Sequence, residues 1–145
     1  SLDAVNTLVR LPEGGWSSAN TDVEGAEEVL KRLGGGEVTV LGDGGATAAL
    51  RLASLRTGQT LHVLSRKNFP AGALAGPCVW TWPAQLPISD GLLFDGAPVA
   101  VIAYGSQALA LRSAILRLGG KPLLCGSAWF VAQARGQRKL WEAVL

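Results

Sequence analysis

Glycines at 42, 44 and 45 and the triplet Ser65-Arg66-Lys67 are the residues whose types and spacing suggest chemistry. Gly42-Asp43-Gly44-Gly45-Ala46 follows a short β-branched run, Glu37–Leu41, and opens a segment of strong helix formers, Ala46–Leu55. Such a turn lets backbone N–H groups approach an oxyanion where a helix begins, and the positive end of the helix dipole favours the negative charge. Tight turns use glycine whatever their function, so the context matters more than the motif: the turn leaves a strand and enters a helix, as a phosphate-binding fingerprint requires. The third small position of that fingerprint falls at Thr47, which predicts slightly looser helix–strand packing.

The triplet gives direction. About 20 residues beyond such a turn, a carboxylate would hydrogen-bond the ribose hydroxyls of NAD. Here Ser65, Arg66 and Lys67 offer a hydroxyl and two cations instead. A guanidinium fork and an ammonium suit an adenosine 2′-phosphate, so the expected cofactor is NADP rather than NAD. The bland alternative is a solvated basic turn.

Positioning these groups requires a strand–helix–strand unit, and Leu61–Leu64 supplies the second strand. Before it, Ala4–Arg10 reads as a strand, Pro12–Gly15 as a turn and Trp16–Asn20 as extended chain. Asn20 or Thr21 caps a helix with Asp22 and Glu24 in its first turn and Val23, Ala26, Leu30 and Leu33 on one face. Gly34-Gly35-Gly36 ends it. Beyond Lys67 the pattern weakens: 68–77 is loop-like, Cys78–Thr81 a third strand and Pro83–Asp90 irregular. Val99–Ala103 is an uncharged buried strand, Gln107–Leu118 a helix, Leu123–Cys125 a last strand, and a final helix runs from Gly126 or Ser127 through Val144. This alternation predicts an α/β, Rossmann-like, doubly wound and mostly parallel sheet with helices on both faces, as one domain over 1–145. Ligands in such sheets sit beyond the carboxyl ends of the strands, which gathers Gly42–Ala46, Ser65–Lys67, Thr81-Trp82, Tyr104 and Gly126 on one edge.

Composition narrows the class. The 145 residues are 48% hydrophobic and 17% charged, as in a globular domain. A net charge of +2 gives no reason to expect nucleic acid or an anionic membrane as partner. Cys78 and Cys125 lack metal-ligand spacing and read as buried reduced thiols, which suits a reducing, cytoplasmic compartment. No run is long or apolar enough to span a bilayer. The start at Ser1, without Met, reads as a chain cut from a longer one or processed.

Taken together, Ala4-Val5-Asn6-Thr7, Asn20-Thr21-Asp22 with Gly25, Gly42-x-Gly44-Gly45-Ala46, Ser65-Arg66, Tyr104, Gly119, Gly126, Val131-Ala132-Gln133 and Trp141 resemble the carboxyl-terminal, NADP-binding half of shikimate dehydrogenase. The resemblance implies hydride transfer between NADPH and the C3 carbonyl of 3-dehydroshikimate, giving shikimate, on the route to chorismate and aromatic amino acids. It implies Asp22 as the carboxylate that works beside a lysine, and Asn6, Asp22, Tyr104 and Gln133 as substrate contacts. Gly42, Asp43, Gly44, Gly45, Ala46, Ser65, Arg66, Lys67, Thr81, Gly126 and Trp129 are the expected cofactor contacts, and a homodimer is allowed. Without the resemblance, Asp22 is a first-turn helix acid, Asn6 a strand polar, Gln133 a helix-face amide and Tyr104 a core-edge aromatic. His62, the only histidine, is read as structural.

The chain departs from that pattern in several places. The Ser-x-Ser and the catalytic lysine of the family's amino-terminal half are absent, so the isolated chain is expected to bind cofactor without catalysing. Either it is the cofactor domain of a longer protein, one that could also carry a dehydroquinate dehydratase domain, or it works with a separate partner. The Asn-Ala-Thr-Pro-like strand end is Trp80-Thr81-Trp82-Pro83. The family's Asp before Tyr104 is Val101, its nicotinamide-side Met is Trp129, and its last-helix aromatic is Arg138. Two other readings stay open: a nucleotide-binding scaffold or regulatory domain without dehydrogenase activity, and a methyltransferase, against which Arg66 argues because an acid should end the second strand.

Overall fold

In the computed structural model, which describes residues 4–65, 67, 72–85 and 91–144, β1 (Thr7–Arg10) and β2 (Trp16–Ala19) form an antiparallel hairpin ahead of α1 (Asp22–Leu33). The chain continues through β3 (Glu37–Leu41), α2 (Gly45–Thr57), β4 (Thr60–Leu64), β5 (Gly72–Leu74), β6 (Cys78–Trp80), β7 (Leu92–Phe94), β8 (Pro98–Val101), α3 (Gly105–Arg117), β9 (Lys121–Leu124) and α4 (Gly126–Glu142). The main sheet is parallel throughout, in the order β4-β3-β6-β8-β9. From β3 the chain winds outward to β4, then returns past β3 to β6 and winds the other way. Right-handed crossovers in opposite directions put helices on opposite faces and open a crevice between β3 and β6. The Rossmann-like expectation holds.

Strand pleating sorts the core into two layers. Val38 and Val40 of β3, Val79 of β6 and Ala100 of β8 face α1, α2 and α4. Leu41, Cys78, Trp80, Val99 and Val101 face α3 and the small β5–β7 sheet. Val101 is therefore a core residue. Both cysteines are free and buried, as expected, and burial pushes the Cys78 thiol up to about 12.

The helix on 22–33 starts where expected, but Asn20 and not Thr21 supplies a capping acceptor: its Oδ1 takes the Asp22 N–H at 3.1 Å. The hairpin corrects the first strand, since only Thr7–Arg10 of Ala4–Arg10 is strand. By its sequence the 68–77 stretch is loop-like. Gly72–Leu74 instead pairs in parallel with Leu92–Phe94, a strand the sequence pattern did not show. Three-residue strands are too short to display period-2 alternation.

Helix α1 crosses α4 without a side chain at Gly25. A Cβ there would lie 2.8 Å from the Trp129 ring, and Trp129 is only 4% exposed. Farther along, a Cβ at Gly136 would meet the Glu24 side chain at 3.2 Å. Two glycines on facing helices thus permit the approach. Gly25→Ala should destabilise the fold by about 1–3 kcal/mol through overpacking, read as a lower urea midpoint by circular dichroism. An unchanged midpoint would mean the helices can part at no cost.

Candidate functional site

The glycine turn is built around Gly42, whose φ of +130° lies in the left-handed region. The space a Cβ would need is filled by the Thr81 hydroxyl, with the Trp82 ring 3.0 Å away. Two hydroxyls pin the turn: Thr47 Oγ1 donates to the Gly42 carbonyl at 2.9 Å, and Thr81 Oγ1 donates to the Leu41 carbonyl at 2.9 Å. Thr47, expected only to loosen the packing, is fully buried and used as a tether.

A Cβ at Gly44 or Gly45 would meet no atom of the described residues within 4 Å, so the helix start stands open. Gly44 caps α2 without a side-chain bond, no acid lies in its first turn, and among the described residues the Gly45 and Ala46 N–H groups have no backbone partner. These orphan donors and an uncompensated dipole suit a phosphate. The nearby Asp43 carboxylate would oppose an anion. It is engaged by Arg51 Nη2 at 3.4 Å.

Gly42, Asp43, Gly44, Ser65, Lys67, Thr81, Trp82 and Pro83 line one cleft of about 630 Å³ at the carboxyl ends of β3, β4 and β6. The expected cofactor residues Gly42, Asp43, Gly44, Ser65, Lys67 and Thr81 therefore share one cavity. Ser65 Oγ accepts the Lys67 N–H at 3.3 Å, which tightens the turn that carries the lysine. Arg66 lies outside the described residues. Trp82 and Pro83 also line the cleft; they belong to the Trp80-Thr81-Trp82-Pro83 stretch that matches, by resemblance, a strand end bordering the cofactor.

The second cluster lies toward β8 and β9. Asn6 Oδ1 accepts from Thr21 N at 2.9 Å, Thr21 Oγ1 at 3.1 Å and Thr7 Oγ1 at 2.9 Å. Because the Thr21 N–H can only donate, the amide orientation is fixed and the exposed Asn6 keeps its NH2 group outward. Asp22 is the next residue, so the bridge that joins hairpin to helix also sets the carboxylate's position. Asp22 Oδ1 accepts the Trp129 indole N–H at 3.2 Å.

Tyr104 stands at the end of β8, half exposed, its ring edge-on to Phe130 with centroids 6.4 Å apart. Its neighbour Gly126 has no room for a Cβ against the Ala103 carbonyl, which lets α4 begin beside it. A hollow of about 280 Å³ includes Tyr104, Gly105 and Gly126. Burial, and then the Asp22 carboxylate, raise the Tyr104 phenol above its ordinary value. Gln133 and Gly136 lie one and nearly two turns along α4 from Trp129, and Gly136 meets Glu24 of α1.

Trp129 corrects an expectation. It is not on the cofactor edge but in the α1–α4 core, with its ring against Gly25 and its N–H on Asp22, and at 4% exposure it has no face to stack on a nicotinamide. Arg138 is exposed and paired with Glu142 at 2.7 Å. His62, on the edge strand, is 3.4 Å from Glu37, as suits a structural surface residue. Among the described residues no cluster of His, Cys, Asp or Glu could hold a metal, and no helix is long and apolar enough to cross a membrane.

No family model matches the chain. It is 44% identical over 120 residues to a protein of Synechococcus sp. (strain JA-3-3Ab) named shikimate dehydrogenase (NADP(+)), covering 74% of this chain and 40% of that one. It is 37% identical over 121 residues to a protein of the same name from Anaeromyxobacter sp. (strain Fw109-5), covering 77% and 42%. The chain thus spans about two fifths of the length of the curated relatives it matches. In structure it is similar to the shikimate dehydrogenase of Mycobacterium tuberculosis, with a TM-score of 0.60 at 22% identity, over 96% of this chain and 62% of that one. The Thermotoga maritima shikimate dehydrogenase gives 0.54 at 20% identity, over 86% and 58%. The resemblance read from the motifs is a real similarity to shikimate dehydrogenases, and the likeness of fold agrees with it.

Tyr104 is the only tyrosine, so its ionisation can be followed directly by ultraviolet absorbance. A raised folded value means the neutral phenol stabilises the fold below the unfolded value near 10, and that this contribution is lost as pH rises through the folded value. Asp22→Asn should bring the titration back toward the ordinary value. An unmoved titration would show that the carboxylate does not act on the phenol.

Proposed function

We propose that this chain is the NADP(H)-binding part of a shikimate dehydrogenase-type oxidoreductase, which reduces 3-dehydroshikimate to shikimate. The observation that carries the reading is the cleft at the β3–β6 crevice, where an open, acid-free helix start faces Ser65 and Lys67 across about 630 Å³. An open helix start with orphan N–H groups suits a pyrophosphate, and the ammonium of Lys67 suits a 2′-phosphate. Arg66 adds a second cation by sequence alone. The naming of the curated relatives as NADP(+) enzymes supports the same choice of cofactor.

Bound NADPH would supply the hydride. This chain's own residues would orient the ring and handle the proton. Asn6, with its NH2 group outward, and Gln133 suit a polyhydroxylated ring, since an amide donates and accepts. Tyr104, kept neutral, is a donor at the same edge. Asp22 would steer a proton to the alkoxide beside a lysine supplied from elsewhere. Among the described residues, Asp22 is not in the ion pairs the lysines form. That favours a second reading, cofactor binding without turnover by this chain alone, as a scaffold or regulatory domain. Shikimate would then be met only together with a lysine-bearing domain.

Two measurements follow. By calorimetric titration of this chain, NADPH should bind and NADH should bind at least about tenfold more weakly, since a hydrogen bond to a charged group is worth roughly 1.5–3 kcal/mol. Equal affinities would remove the 2′-phosphate argument. In the full-length protein, Asp22→Asn should cut turnover far more than NADPH affinity, and unaltered turnover would sink the assignment of Asp22.

A further inference from the structure

We propose that Trp129 is a positioning residue for Asp22: its indole N–H holds one carboxylate oxygen so that the other is presented in a fixed orientation to the substrate. The inference rests on the dehydrogenase reading for its function but on geometry for its substance. The bond is 3.2 Å from Nε1 to Oδ1 and joins residues 107 positions apart in sequence, so it ties the last helix to the first. The indole cannot swing away. A Cβ at Gly25 would lie 2.8–2.9 Å from three ring atoms, so the α1 backbone presses on its face, and the side chain is 4% exposed. An N–H so placed costs free energy if unpaired, and the carboxylate is its acceptor.

Asp22 is held from two sides. Its backbone N–H is bound by Asn20 Oδ1 at 3.1 Å, and the residue before it is bound by Asn6 Oδ1. The backbone is therefore set by the hairpin, and the carboxylate torsion by α4. Among the described residues Oδ2 has no hydrogen-bond partner, so it is the oxygen left to act. Such an arrangement supplies preorganisation, in which a displacement of about 1 Å can cost on the order of 10²-fold in rate.

The decisive substitution replaces Trp129 by 3-benzothienylalanine, which keeps the bicyclic shape and exchanges the N–H for sulfur. Trp129→Phe, in contrast, leaves a cavity beneath Gly25. The first readout is nuclear magnetic resonance of the indole N–H groups in this chain. In Asp22→Ala the Trp129 resonance should move upfield while those of Trp16, Trp80, Trp82 and Trp141 stay in place. Asp22→Asn, which keeps an oxygen acceptor, should move it less. An unmoved Trp129 resonance in Asp22→Ala overturns the proposal. The second readout is turnover of the full-length protein carrying the isostere. It should fall by about 10²-fold with the KM for NADPH unchanged, and unchanged turnover overturns the positioning role. Failure of the dehydrogenase reading has its own sign, absence of NADPH binding, on which the indole resonance does not depend.

Discussion

Position 25 has no room for a side chain, and much of the molecule's organisation follows from that. Gly25 lets α1 settle onto the face of Trp129, which places the first turn of α1, and with it Asp22, within reach of the indole N–H. The hairpin follows, because Asn6 and Thr7 are tied to Thr21 at the start of the same helix. At the other end of α4, Trp141 Nε1 approaches the Leu8 carbonyl at 3.4 Å, so the long helix also touches the hairpin directly. The hairpin is thereby tied to the rest of the molecule through the start of α1 and through α4.

The glycine turn obeys a second constraint of the same kind, with a different purpose. At Gly25 the missing Cβ admits a ring and closes the structure. At Gly42 it admits the Thr81 hydroxyl, while at Gly44 and Gly45 it leaves open space. The rigidity of the turn therefore comes from behind, from Thr47 and Thr81, and its front remains clear. A phosphate site needs both, since N–H donors fixed before the ligand arrives lose no entropy in being aligned. Thr47 illustrates how a departure from a glycine fingerprint can be absorbed: the larger side chain supplies a hydrogen bond where the glycine supplies only proximity.

The glycine turn was legible in the sequence because its determinants are local. Glu37–Leu41, the glycines and Leu61–Leu64 specify strand, turn, helix and strand within about 30 residues, the span of one βαβ unit. The cluster around Asp22 was legible only by resemblance. The contact between Asn6 and Thr21 spans 15 residues and that between Asp22 and Trp129 spans 107, distances over which single-residue types carry no pairing signal. Trp129 was misplaced for a physical reason. Its spacing from Gly126 fixes how far along α4 it lies, whereas the side it faces depends on the stripe formed with Gln133 and Gly136, which is meaningful only once Gly25 and Glu24 are seen opposite. The β5–β7 pair escaped because a strand of three residues beginning with Gly72 has neither alternation nor β-branched content to display.

These constraints divide the work between two kinds of positioning. Along β3 and β6 the groups that would meet a phosphate are main-chain N–H donors, set by loop geometry and insensitive to side-chain identity beyond glycine and threonine. Around Asp22 the groups are side chains, each needing its own partner: Asn6 needs Thr21, Asp22 needs Trp129, and Tyr104 leans on Phe130 and feels the Asp22 charge. A main-chain site tolerates drift in the surrounding sequence, whereas a side-chain site loses its geometry when any one partner changes. Trp129 in such a site is therefore more than packing, because its N–H is a donor that the carboxylate accepts. The carboxylate beside it then has one oxygen committed to that N–H and, among the described residues, one open.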